Sequence, residues 1–257
     1  MRWNASGAAR RAWRSSRRAA DGVLAVLVAP RCLGCHLPLE FPTAGPVCAS
    51  CWGAIPALAP PLCRRCGDTL GHPSPLLCTR CRRTPPGPVT AARAAGEYAG
   101  ALRQLIHALK YDGRRSLAAP LAALMRERGR EVLDGATVAV PVPLHWSRRW
   151  QRGFNQAEAL AARLGLPVCR ALARRRPTRA QFGLPAARRH RNVRGAFGPA
   201  RWRAGRARSR LKGAVVVLVD DVATTGATLR ACAEELKRMG AREVRAITAA
   251  RAHARRP

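Results

Sequence analysis

Hydrophobic residues recur in this chain in two ways, as unbroken runs and at helical spacing, and the two alternate from residue 96 onward. Residues 215–219 are apolar at every position, the mark of a strand buried on both faces, so they predict a central parallel strand ending at Asp220 and Asp221. Straight after Gly226, the residues Leu229, Cys232, Ala233, Leu236 and Met239 return near every third or fourth position, which predicts a helix stopped by Gly240. Upstream, Leu102, Leu105, Ile106 and Leu109 share one face of an amphipathic helix over 96–111, closed by Tyr111, Asp112 and Gly113. A second helix over 116–128 turns Leu117, Leu121, Leu124 and Met125 inward. Residues 137–142 alternate and then run apolar into Pro141 and Pro143, predicting another buried strand, and 243–250 predicts a further short one. The whole reads as an α/β fold with an open, Rossmann-like parallel sheet.

The first third of the chain carries neither pattern. Eight of the ten cysteines lie there as C-x-x-C pairs, Cys32/Cys35, Cys48/Cys51, Cys63/Cys66 and Cys78/Cys81, separated by twelve, eleven and eleven residues. Two such knuckles close one tetrahedral four-cysteine site, so four knuckles predict two structural Zn2+ ions. A disulfide framework is the competing account, but it belongs to oxidising compartments. Zinc supplies on the order of 10 kcal/mol of apparent binding energy, enough to fold a Pro- and Gly-rich segment with little core. Sequential pairing of the knuckles is the simplest connectivity, with interleaving as the alternative. His36 and His72 read as solvated loop residues, and Cys232 falls on the apolar face of its helix.

The TPPGP stretch at 84–88 can continue neither a ribbon nor a helix. It separates a double zinc ribbon over 31–84 from a second domain over 89–257. Residues 1–30 read as a basic amphipathic lead-in, with Arg10, Arg11, Arg14, Arg17 and Arg18 ahead of the short apolar run 23–29, and no secretion-type cleavage site is evident. No stretch reaches the ~18 apolar residues that span a bilayer. A soluble, cytoplasmic protein is expected.

Charge adds a second theme. The apolar fraction of 47% is ordinary, but a formal net charge of +33 would attract nucleic acid or other polyanions. Lysine occurs only at Lys110, Lys212 and Lys237, in a chain rich in Ala, Gly and Pro, so coding bias toward arginine accounts for part of the excess. Between Ala159 and Val219 there is no acid, and arginines are dense from Arg170 to Arg210. A flexible basic loop over 170–212 is predicted, serving either as a lid over a polyphosphate or as a nucleic-acid contact.

The predicted strand, tight loop and helix place Thr224, Thr225, Gly226, Ala227 and Thr228 at the positive end of a helix, where an anion gains about 0.3–1 kcal/mol. Asp220 and Asp221 beside that loop would repel a phosphate, unless ligand hydroxyls bind the carboxylates or Mg2+ lies between. A ribose phosphate meets both conditions. A Walker B strand also ends in acids, but it requires an upstream G-x-x-x-x-G-K-[ST], and this chain has no Gly-Lys pair. Residues 216–228 resemble, without a gap, the phosphoribosyl pyrophosphate (PRPP) motif of type I phosphoribosyltransferases. Ligands of open parallel sheets bind outside the strands' carboxyl ends, so the loop after 137–142 points to the same side. It carries Arg148, Arg149 and Arg152, whose forks suit the oxygens of a diphosphate.

The run VPVPLHWSRRWQRGFNQAEALA resembles the competence protein F (ComF) family through Pro141, Pro143, Leu144, Arg152, Gly153, Phe154, Asn155 and Gln156. A second block at 178–197 is similar through Thr178, Gln181, Leu184, Arg189, Asn192, Val193, Gly195, Ala196 and Phe197, departing from the family pattern at Pro185 and Arg188. The resemblance implies a double zinc ribbon joined to a type I phosphoribosyltransferase fold, and a link to natural competence and DNA uptake. In an enzyme of this kind an acceptor, unidentified here, displaces pyrophosphate from C1 of PRPP. The expected catalytic residues are Asp220 and Asp221, acting on the ribose hydroxyls directly or through Mg2+. Residues 224–228 would take the 5′-phosphate, and Arg148, Arg149 and Arg152 the pyrophosphate. The alternative is a non-catalytic DNA-handling or scaffold protein that keeps the PRPP site as a sensor or relic, its ribbons and arginines contacting single-stranded DNA or competence proteins. No aromatic stacking platform is evident in the sequence to support that alternative.

Overall fold

The computed structural model describes residues 20–24, 27–176, 195–200 and 204–252. The lead-in up to residue 19 and nearly all of the 178–197 block lie outside the described residues. Among those described, the strands are β1 (Ala92–Ala94), β2 (Val138–Pro141), β3 (Leu172–Arg174), β4 (Phe197–Pro199), β5 (Val215–Ala223) and β6 (Glu243–Arg251). Four of them form a parallel sheet in the order β1-β6-β5-β2, and β3 and β4 pair antiparallel beside it. The helices are α1 (Ala49–Gly53), α2 (Thr79–Arg83), α3 (Gly100–Tyr111), α4 (Ala118–Arg128), α5 (Arg130–Leu133), α6 (Trp146–Arg152), α7 (Gln156–Ala161), α8 (Ala204–Leu211) and α9 (Ala227–Arg238). No helix among the described residues is long and apolar enough to cross a membrane.

Strand alternation explains why 215–219 has no polar position. Val217 and Val219 enter a core with α3, α4 and Leu160 of α7, whereas Val216 and Leu218 enter the opposite core with α8, α9 and the β3–β4 pair. Each of these fully buried side chains contributes about 1.5–3 kcal/mol of transfer free energy. The strand does not stop at the aspartates as expected. It continues to Ala223, because β6 is equally long and supplies register partners from Asp220↔Thr248 to Ala223↔Arg251.

Helix α3 begins at Gly100, four residues later than its apolar pattern suggested, because Glu97 N–H donates to Pro56 O (3.0 Å) and Tyr98 N–H to Arg251 O (2.7 Å). Strand β1, which no periodicity announced, is held against β6, and its buried Arg93 pairs with Glu131 (2.6 Å). The cysteine segment is fastened to the sheet domain. Cys32, Leu39, Val47 and Ile55 share the core of α3 and α4, and Arg93 donates to Cys63 O and Arg64 O farther along.

Candidate functional site

The long β5 carries Asp220 and Asp221 on successive strand positions, whose side chains point to opposite faces of the sheet. Asp221 is ion-paired with a cation from α3, whereas Asp220 lies within electrostatic reach of cations from both layers. Asp221 Oδ1 lies 2.7 Å from Lys110 Nζ at the end of α3, with both side chains largely buried at 13% and 15% exposure. Burial opposes the lysine's charge, but Asp221 outweighs it and holds the Lys110 pKa above its ordinary value. Asp220 sits within electrostatic reach of Arg174 on β3. Burial, reinforced by the neighbouring Asp221, pushes the Asp220 carboxyl up to about 7. Burial, followed by the charge of Arg148, lowers Arg174. Of the adjacent acids, Asp221 is directly ion-paired to Lys110, while Asp220 feels both Lys110 and Arg174 without an ion pair to either.

Beyond Ala223 the chain turns through Thr224 and Thr225 into Gly226, whose φ of +78° is a left-handed conformation that a side chain would strain, and α9 starts at Ala227. Thr225 Oγ1 accepts from Ala227 N–H at 3.4 Å. The first-turn N–H groups of α9 have no intrahelical acceptor, a geometry suited to an anion.

The β2 strand ends on the same side. Its loop enters α6 with His145 as N-cap, and α6 ends at Gly153, whose carbonyl accepts from Arg115 at 2.9 Å. Arg152 lies over the Tyr111 ring at 5.0 Å and donates to Gln156 Oε1 at 3.2 Å. Arg148 and Arg152 both lie within electrostatic reach of Arg174, which in turn lies within reach of Asp220. Arg149 turns the other way, to Glu158 at 4.0 Å, which also holds Arg170. Three arginines within five residues thus divide between two surroundings. Lys110 and Arg174 are the site residues that the sequence did not single out. The signal for Lys110 was its rarity, as one of three lysines in an arginine-rich chain, whereas Arg174 had no signal within its basic run. The His107 ring packs at a tilt against Tyr111, with centroids 4.7 Å apart.

The eight knuckle cysteines gather sequentially, Cys32, Cys35, Cys48 and Cys51 in one cluster and Cys63, Cys66, Cys78 and Cys81 in the other, with all sulfurs of a cluster within 4.8 Å of one another. Sulfur separations of 3.6 Å for Cys32–Cys48, 3.8 Å for Cys35–Cys48 and 3.6 Å for Cys66–Cys78 match the edge of about 3.8 Å of a tetrahedron built on Zn–S bonds of about 2.3 Å. Backbone N–H groups point at the sulfurs, from Gly34 and Cys48 to Cys32 and from Cys78 to Cys63. Burial alone would raise Cys32, yet these donors bring its thiol down to about 6, whereas burial and the neighbouring sulfurs push Cys51 of the same cluster up. The donor set fits two structural zinc ions.

A phosphoribosyl transferase domain model matches residues 151–257, and a double zinc ribbon domain model matches residues 23–82. DNA utilization protein YhgH of Escherichia coli strain K12 is 35% identical over 172 residues, covering 62% of this chain and 71% of that protein. The protein of the same name from Salmonella typhimurium is 36% identical over 173 residues, with the same 62% and 71% coverage. Competence protein F of Haemophilus influenzae is 33% identical over 167 residues, covering 61% of this chain and 71% of its own length. Fold and site thus define a phosphoribosyltransferase-type α/β domain carrying an N-terminal double zinc ribbon. Within that class, the chain belongs to the competence protein F family.

Proposed function

We propose that this protein binds PRPP with Mg2+ and transfers its phosphoribosyl group to an acceptor, releasing pyrophosphate. The observation that carries the reading is the convergence, at one edge of the sheet, of an anion cradle, two carboxylates and three arginines. The 224–228 loop receives the 5′-phosphate on its N–H groups and hydroxyls. Asp220 and Asp221 orient the ribose hydroxyls. Hard oxygen donors suit Mg2+, and with Lys110 already balancing Asp221, Asp220 is the carboxylate whose buried charge a cation would relieve. Mg2+ would supply charge neutralisation of the diphosphate. Arg148, Arg152 and Arg174 face the leaving pyrophosphate, so catalysis consists of positioning and electrostatic stabilisation. Calorimetric titration with Mg-PRPP is expected to give binding that Asp221→Asn weakens roughly tenfold or more, the loss of about one charge-assisted contact. Equal binding by a folded variant and the wild type would refute the assignment.

A second reading, compatible with the first, is a contact with single-stranded DNA, in keeping with the competence and DNA utilization names of the relatives. It is favoured by Trp146 and Trp150, which stand 74% and 85% exposed one turn apart on α6, beside Arg148, Arg149 and Arg152. Base stacking on an aromatic side chain is worth about 1–3 kcal/mol per base. Replacing both tryptophans by alanine is expected to weaken binding of a single-stranded oligonucleotide by about tenfold or more while leaving its salt slope unchanged. Charge removal at Arg149 should instead flatten that slope by about 0.7 per lost phosphate contact. Wild-type affinity in the tryptophan double variant would remove the stacking role.

A further inference from the structure

The end of α3 carries a side chain whose position a stability argument does not explain. Leu102, Ile106 and Lys110 follow one another at i, i+4 spacing, and the two apolar members of the row are fully buried. The row leads the lysine stem into the protein and leaves its head 2.7 Å from Asp221 Oδ1. The ammonium also lies within electrostatic reach of Asp220 and Tyr98. A buried ion pair is on balance no more stabilising than well-packed apolar side chains of similar volume, because both charges lose their water. A leucine would complete the row without that loss. Lysine is also scarce, at three of the 47 Lys and Arg positions, so its use at this one is not the habit of the chain.

We infer that Lys110 is a ribose-binding residue and the resident cation of the sugar half of the site. With Asp221 it holds the ribose hydroxyls without a metal, so that Mg2+ is required by the diphosphate and not by the sugar. The inference rests on the PRPP reading and adds to it the division of labour between lysine and metal.

Hydrogen-bond chemistry and charge each support it. A hydroxyl is donor and acceptor at once, whereas an ionised carboxylate only accepts and an ammonium only donates. Side by side, Asp221 and Lys110 therefore offer one hydroxyl a partner for its hydrogen and a partner for its lone pair. The ammonium carries more N–H donors than a single carboxylate oxygen consumes, and it is a compact point charge where arginine would place a broad planar fork. Mg2+ seated on Asp221 would stand against this ammonium, and two cations on one carboxylate repel, so Lys110 closes Asp221 to the metal. Asp220, which Lys110 reaches without pairing, stays open to it. The next residue links the same turn to the other half of the site, since Arg152 donates to Tyr111 Oη at 3.4 Å and lies over its ring at 5.0 Å. The last turn of α3 thus touches both a ribose-binding acid and an arginine proposed for the diphosphate.

Ribose 5-phosphate isolates the sugar half, because it lacks the diphosphate. The test titrates it by calorimetry into the full-length, zinc-loaded protein in Mg2+-free buffer and with excess Mg2+, using no chelator that would strip the zinc. The wild type is expected to bind with the same affinity, within about twofold, in both buffers. Lys110→Met should weaken binding by about tenfold or more without Mg2+, the loss of a charge-assisted contact, and Mg2+, now admitted to Asp221, should restore most of it. Lys110→Gln, neutral but still a donor to Asp221, provides the same test if the first variant does not fold. Three results would overturn the inference while the PRPP reading stands: wild-type binding of ribose 5-phosphate that requires Mg2+ or is absent although Mg-PRPP binds, a folded neutral variant with full affinity in Mg2+-free buffer, or one weakened equally in both buffers. A wild type that binds neither ribose 5-phosphate nor Mg-PRPP would overturn both.

Discussion

Replacement of Cys66 by serine is expected to lower the zinc content from two ions per chain to one and to unfold the second ribbon while the sheet domain persists. The two ribbons differ in what else holds them. The first contributes Leu39, Val47 and Ile55 to the core of α3 and α4, whereas no second-ribbon residue joins either main core. Its attachments are polar, namely Asp68 to Arg251 and Arg93 to the carbonyls of Cys63 and Arg64. Structural zinc contributes about 10–16 kcal/mol of apparent binding energy at neutral pH, far more than two or three such contacts at about 1–3 kcal/mol each. Loss of one thiolate should therefore melt 63–81 and leave Asp68 no longer paired with Arg251. Hydrogen exchange would register lost protection at 63–81 and around Ala92, whose N–H donates to Arg65 O. Metal analysis would give the stoichiometry. Undiminished zinc content, or unchanged protection in a variant that has lost the ion, would contradict this account.

Lys110→Met should be the most destabilising single change in the candidate site. Breaking a buried ion pair by removing one partner costs about 3–5 kcal/mol, because the surviving charge is left in a poor solvent. Both partners here are largely buried and only 2.7 Å apart. The double variant Lys110→Met/Asp221→Asn removes both charges and should recover most of the loss. Urea titration of the wild type, both single variants and the double variant supplies the cycle. The pH dependence has a definite sign. Lys110 is raised above its ordinary 10.5, so its contribution is fully present below that value and is lost as pH rises through the higher folded-state value. A single-variant cost below about 1 kcal/mol would place the pair in the class of solvent-screened surface bridges.

Where the sequence misled, the cause was local. Asp220 and Asp221 are neighbours in the chain, and their adjacency did not show that a strand turns successive side chains to opposite faces and so gives them different surroundings. Lys110 on α3 pairs with Asp221 and, with Arg174 on β3, also acts on Asp220, and nothing in the 215–228 stretch encodes either cation. The expected diphosphate triad divides in the same way, since Arg149 points to Glu158 while Arg148 and Arg152 face Arg174. Trp146 and Trp150 gave no hint of exposure, because an aromatic residue is more often buried and its outward turn depends on how α6 leaves β2.

The sequence by itself determined what depends on short-range pattern. Side-chain periodicity placed the central strand at 215–219 and the helix after Gly226, and knuckle spacing gave two four-cysteine sites. The loop composition at 224–228 marked the turn into α9, whose first N–H groups and neighbouring hydroxyls lie within a few residues of one another. Tertiary structure alone decided which cations reach the carboxylates, how far β5 runs beyond its apolar stretch, and that Asp68 of the second ribbon pairs with Arg251 of β6. Those features depend on contacts between residues far apart in the chain, and such contacts are set by how the layers pack.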